Sequence, residues 1–318
     1  MKKNIIYLLL IIFSTFLNAN EKVVLQLKWF HQFQFAGYYA AKEKGFYDEV
    51  GLDVEIKQRD LKYNNIDEVI NGNAQYGVAD SILILYRLKQ QPVVIVSPIF
   101  QHSPSVFISL KKKNISSIYE LNNKDILFYP NNTDGFSLLA MIKKFDLDVN
   151  LVRERYKDDY MRLINNEVDA MPAYIANEPF LFKEKGYDVN IINPTNYGFD
   201  MYGDMLFTNE DEAKNYPIRV EKFKKATLKG WKYALENKEE IIQLISEKYS
   251  KEKSIEHLRY EANAIDSLID KDVTPLGYLD EGRIRYISEM YKYYGLTQSK
   301  INLNDFLFDA LSKKDKKI

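Results

Sequence analysis

Cysteine is absent from the 318-residue chain. That excludes disulfides, a thiolate nucleophile, a thiolate metal site and a lipid on a post-leader cysteine, and leaves the apolar core to supply the stability. Histidine is scarce: His31, His102 and His257 are scattered, with no HExxH pair and no close metal-ligand spacing. The patterns GxSxG, the Walker loop and GxGxxG are also missing. No catalytic residue, metal ion or cofactor is therefore expected, and a binding module needs none. Surplus charge is lacking too, with 44 Lys and Arg against 45 Asp and Glu. A nucleic-acid partner is excluded on that ground, because holding a phosphate backbone takes a concentrated basic face. The one candidate for a membrane-spanning run, Ile5–Phe13, is shorter than the roughly 20 residues a span requires.

What is present begins with a leader. Lys2 and Lys3 precede the apolar run, and Ala19 places a small residue at a cleavage point just before Glu21 and Lys22. We read 1–19 as an export signal removed near Ala19, giving a periplasmic mature chain. An uncleaved anchor is the alternative, since Leu17 departs from the small-residue rule. About 300 residues then remain, enough for one large domain or two ordinary ones.

From Val23 onward short apolar strands alternate with helical segments, the signature of an α/β fold with helices covering a mostly parallel sheet. The first run places strands at Val23–Leu27, Leu52–Ile56, Tyr76–Ala79 and Val93–Phe100, with helices over Ala36–Lys44 and Ile66–Asn71 and after Asp80 and Ser81. Gly45 and Gly72 stop the first two helices by taking the left-handed conformation that other residues resist. A second run of the same kind extends from Ile126 to Ile192, and two such units argue for two lobes. After Asp204 the periodicity turns helical almost to the end. Helices alone do not close a lobe, so this segment is expected to pack back on the first sheet. The chain then crosses between lobes twice, near Phe107–Leu110 and near Met205–Thr208. The expected division is 22–107 with 206–318 for the first lobe and 108–205 for the second.

Function concentrates at strand ends, where ligands bind in open α/β sheets. The densest cluster runs from Trp29 to Tyr39, just after the first strand. Trp29, Phe30, Phe35 and Tyr38 offer aromatic surface there, with Phe33 and Tyr39 read equally as packing; Gln34, with Gln32 and His31, can orient a flat ligand by hydrogen bonds. Asp80 with Ser81, and Asp134 in the run Asn132–Phe136, repeat the geometry at other strand ends, where helix capping is the competing role. In the second unit Tyr174, Asn177 and Glu178 join a strand to a helix, and Glu178 could accept from an amino group on a heterocycle. Tyr202, in the run Tyr197–Asp204, lies near the return crossing and lines the cleft or forms the hinge.

On these residues the chain resembles a family of periplasmic-binding-protein-like folds that includes bacterial formylaminopyrimidine-binding proteins, the fungal thiamine pyrimidine synthase and sulfonate-binding relatives. The carriers are LQLKWFHQFQFAGYYAAKEKGFYDEVGLDVEI at Leu25–Ile56, NGNAQYGVADS at Asn71–Ser81 and VDAMPAYIANEPF at Val168–Phe180. The resemblance covers about Val23–Lys238. It implies a type II, two-lobed Venus flytrap with two interlobe crossings, and by position it points to Trp29, Gln34, Asp80 and Glu178 as pocket residues. It also implies what is missing: where the synthase carries its Schiff-base lysine and sacrificial histidine stand Ala79 and Leu83, and its cysteine-rich run would fall near Phe199–Gly203. The expectation is thus a monomeric, non-enzymatic solute-binding protein for a small heterocyclic ligand, a thiamine pyrimidine precursor, with an ABC permease and ATPase as partners. A ligand sensor working with a membrane kinase or cyclase is the first alternative, and a synthase-like enzyme the second.

Overall fold

The computed structural model describes residues 20–128, 136–153 and 159–309. The leader and Asp134 lie outside them. Among the described residues no helix is long and apolar enough to cross a membrane.

Among the described residues ten strands form the frame. β1 (Glu21–Gln26), β2 (Leu52–Lys57), β3 (Tyr76–Ala79), β4 (Val93–Pro98) and β10 (Met205–Asn209) make one sheet in the order β2-β1-β3-β10-β4. β5 (Ser105–Leu110) sits between β8 (Met171–Tyr174) and β9 (Val189–Ile192) in a second sheet. β6 (Asp125–Phe128) and β7 (Asn150–Arg153) pair beside it and are tied to β8 by a bridge from Ile126 to Ala170.

The first sheet is mixed and the second antiparallel, so neither is mostly parallel. β1 runs parallel to β2 and β3, with Val23 opposite Val54, and β6 runs parallel to β7. β10 is antiparallel to both β3 and β4, and β5 to both β8 and β9. Each antiparallel member is the strand that follows a passage from one sheet to the other, so it enters from the opposite side. Those passages are 99–104 and 193–204. The positions expected for the crossings fall inside β5 and β10, because apolar runs such as Val106–Ile108 and Leu206–Phe207 are buried ladder strands and not connectors.

Helices α1 (Ala36–Glu43), α2 (Asn65–Ile70) and α3 (Ile82–Leu88) cover the first sheet. α4 (Phe136–Lys144), α5 (Asp159–Ile164) and α6 (Glu178–Glu184) belong to the second unit. α7 (Glu210–Asn215), α8 (Pro217–Glu236), α9 (Lys238–Lys248), α10 (Ile255–Ile269) and α11 (Glu281–Tyr293) form the C-terminal helical segment. The seam between α1 and α8 is very close. A Cβ at Gly230 would lie 2.2 Å from the carbonyl oxygen of Gly37, and one at Gly37 would lie 2.1 Å from the Trp231 ring. Only glycine admits such an approach, and it seats Tyr38 edge-on to Trp231 with ring centroids 5.8 Å apart. At the far edge Ile95 N donates to Phe306 O at 2.8 Å, so the C-terminal stretch also returns to the first sheet.

Candidate ligand-binding cleft

The strand ends of the two sheets face each other, and Lys28 lies between them. Leu25 and Leu27 alternate into the core, and two residues past β1 the Lys28 side chain is also enclosed, at 3% exposure. Its Nζ is 3.2 Å from Asp80 Oδ2, at the end of β3, and 3.5 Å from Asp204 Oδ1, just before β10. It also donates to the hydroxyl of Tyr174, at the end of β8, whose ring centroid is 5.1 Å away. An ammonium held by Asp80 of the first lobe and by Asp204 at the end of the return passage thus meets a phenol of the second. Burying such a cluster costs desolvation energy, so it survives only with its partners in place.

Beside it, Gln32–Phe35 makes a short turn leading into α1. Phe33 and Phe35 go into the core, while Gln32 and Gln34 are buried toward the other lobe. Gln34 Nε2 donates to Asp204 Oδ2 at 2.8 Å, and Gln32 Nε2 donates to Gln34 Oε1 at 2.5 Å. The backbone N–H of Phe33 donates to Glu261 Oε2 at 2.8 Å. Glu261 stands on the apolar stripe of α10 with Leu258, Ala262 and Ile265, and burial pushes its carboxyl up from the usual range despite the nearby Lys253.

α10 also reaches across to the second lobe. Lys253 donates to both Glu261 and Asn177 Oδ1, and Tyr260 OH donates to Ile175 O at 2.9 Å. His257 packs on Phe180 with centroids 4.8 Å apart; burial and the Lys253 ammonium lower its pKa to about 4. Between these contacts lies an interlobe space of about 200 Å³, lined by Gln32, Gln34, Phe100, Tyr174, Ala176, Asn177, Glu261 and Ile265. No part of it is wide enough to hold a water molecule.

The residues singled out from sequence divide into groups. Gln34, Tyr174 and Asn177 line this space, and Asp80 is reached through Lys28. Trp29 is half-buried and edge-on to Phe30, at 5.3 Å, with Phe30 exposed at the rim. Phe35 and Tyr38 are buried entirely in the core of the first lobe, because their spacing follows the inward face of the turn and α1. Ser81 donates to Tyr202 O at 2.6 Å, and the Tyr202 hydroxyl accepts from Asp280 N with Arg283 over its ring, so this pair ties the return passage to α11. Glu178 accepts from Tyr174 N at 2.6 Å and from Asn177 Nδ2 at 2.7 Å; it shapes the β8 end, and burial raises its pKa.

Lys28, Asp204, Lys253 and Glu261 were not singled out as site residues from sequence. Two of them carry a readable signal: a lysine directly after a buried alternating strand, and an acid on the apolar stripe of an amphipathic helix. Among the described residues no group of three or more His, Asp or Glu is placed to hold a metal ion.

The family model described as NMT1/THI5 like matches residues 32–241, well over half of the chain. The chain belongs to the NMT1/THI5-like family. The match opens at Gln32 and ends in α9, so it includes the Gln32–Gln34 turn but neither Lys28 nor the α10 residues. Among relatives of this NMT1/THI5-like chain, the riboflavin-binding protein RibY of Chloroflexus aurantiacus is 25% identical over 70% of the chain and 65% of the relative, just under two thirds of its length. The formylaminopyrimidine-binding protein of Halalkalibacterium halodurans is 24% identical over 71% of the chain and 70% of that protein. In structure the chain is similar to the periplasmic aliphatic sulphonate-binding protein SsuA of Escherichia coli, with TM-score 0.67 and 12% identity over 92% of this chain and 98% of the other. That likeness establishes the periplasmic-binding-protein fold, two-lobed and mixed α/β.

Proposed function

We propose that this NMT1/THI5-like chain is an exported solute-binding protein that closes its two lobes on a thiamine pyrimidine precursor and presents the closed form to an ABC permease and ATPase. The observation that carries the reading is the interlobe space itself: an aromatic ring, Tyr174, and three amides, Gln32, Gln34 and Asn177, converge there from both lobes at strand ends. Such a lining suits a small planar ring with polar edges. The names of the two relatives, one for a formylaminopyrimidine and one for riboflavin, support heterocycle binding in general.

The chain carries out no chemistry of its own in this reading. Ala79 and Leu83 are fully buried core residues at the positions the resemblance assigns to a synthase's reactive side chains, and neither offers an amine or an imidazole. The test is isothermal titration with hydroxymethylpyrimidine, riboflavin and ethanesulfonate, paired with small-angle scattering. Saturable heat with the pyrimidine and a contraction of the scattering profile are expected, because closure is a hinge motion at the two passages. Heat with ethanesulfonate alone, or with none of the three, would overturn the proposal.

A further inference from the structure

We infer that Gln32 selects the ligand by presenting an unpaired hydrogen-bond acceptor that only a ligand N–H or O–H can satisfy. This rests on the proposed use of the cleft as the ligand site and narrows the ligand to a class: neutral or cationic heterocycles with an amino or imide N–H, to the exclusion of acceptor-only anions such as sulfonates.

The inference follows from the polarity of one hydrogen-bond relay. The carboxylate of Asp204 only accepts, so the Gln34 amide turns Nε2 toward it, at 2.8 Å. Gln34 Oε1 is thereby left facing Gln32, which has to offer its own Nε2, at 2.5 Å. What remains is Gln32 Oε1. It is fully enclosed on a residue only 3% exposed, and among the described residues no donor reaches it. Reversing the Gln32 amide would set two carbonyl oxygens against each other, so the acceptor cannot be exchanged for a donor while Asp204 holds the far end.

Gln32 lines the interlobe space together with Tyr174 and Asn177, and that space has no room for a water to serve as donor. A buried acceptor without a partner is rare and costly, and one placed where a ligand enters marks the group the ligand has to supply. The charge around the cleft points the same way. Two ammonium groups, Lys28 and Lys253, stand against the carboxyl groups of Asp80, Asp204, Glu178 and Glu261.

The test is titration of the full chain with hydroxymethylpyrimidine, with its analogue lacking the exocyclic amine, and with ethanesulfonate. Wild type is expected to prefer the amine by at least about tenfold, the scale on which a site with an unpaired polar group rejects a ligand that leaves it so. Gln32→Leu should bring that preference below about threefold. If Gln32→Leu does not fold, Asp204→Asn serves instead: it frees the relay to reverse and should likewise erase the preference. Equal affinity of wild type for the two pyrimidines would overturn this inference and leave heterocycle binding standing. Binding of ethanesulfonate alone, or of none of the three, would overturn both.

Discussion

Gly230→Ala puts one methyl group into the seam between α1 and α8. Its Cβ would lie 2.2 Å from Gly37 O, 2.6 Å from Ala41 Cβ and 2.7 Å from Ala41 N, whereas real contacts begin near 3.0 Å. Two of those atoms belong to backbone, so no side chain can swing away and the helices have to part by about 1 Å. A gap of that size forfeits a quarter to a half of each dispersion contact along the seam. Overpacking of this kind costs about 1–3 kcal/mol, and the backbone obstruction argues for about 3. Alanine returns about 1 kcal/mol of helix propensity. The net expectation is a loss of about 2 kcal/mol, read by urea denaturation followed by far-ultraviolet circular dichroism. The same shift moves Gly37, three residues past Gln34, so ligand affinity should fall as well. A variant as stable as wild type, or more so, would refute the reasoning, because propensity would then have outweighed the clash.

Lys28→Met should cost about 3–5 kcal/mol in the same assay by leaving Asp80 and Asp204 without their ammonium, and adding Asp80→Asn and Asp204→Asn should recover most of it. Tyr174→Phe should leave stability within about 1 kcal/mol but shift the unliganded scattering profile toward the open form, since it removes a bond between lobes. Two of the three histidines, His257 and His102, should act on pH dependence with opposite signs. His257 is lowered to about 4 by burial from an ordinary 6.5, so the unfolded chain takes up its proton first and stability falls as pH drops from 6.5 toward 4; His257→Gln should flatten that limb. His102 is raised chiefly by its hydrogen bond to Asp200, so its contribution is full below 6.5 and lost as pH rises through the folded value; His102→Gln should flatten the upper limb in urea titrations across pH.

The sequence made the alternation of strand and helix legible because each element there is bounded by a clear stop, as at Gly45 and Gly72, and β3 and β9 lie where the apolar runs end. The passages between lobes were displaced because an apolar stretch such as Ser105–Leu110 reads equally as a connector or a buried strand until its neighbours are known. Of the candidate site, strand-end position was enough to point to Gln34, Asp80, Tyr174 and Asn177. It could not separate Phe35 and Tyr38 from Trp29, since the three share one aromatic-rich segment and only the turn's direction decides which rings go inward. Lys253, just before α10, and Glu261, within it, lie more than 200 residues downstream of Gln32. No local pattern links them, and it is the return of α10 onto the first lobe that brings them to the cleft.

β10 lies between β3 and β4, so the first sheet lacks a middle strand until 205–209 arrive. A chain emerging from its N-terminus can assemble β1, β2 and β3, and the strands of the second sheet, all within 105–192, emerge before the strand that joins β3 to β4 exists. Order of synthesis is thereby written into the topology: the residues of the inserted lobe emerge before the strand that completes the lobe enclosing them, and that long-range closure slows folding. A truncation just short of Met205 would leave the β5–β9 unit able to form and the first lobe with two unjoined edges.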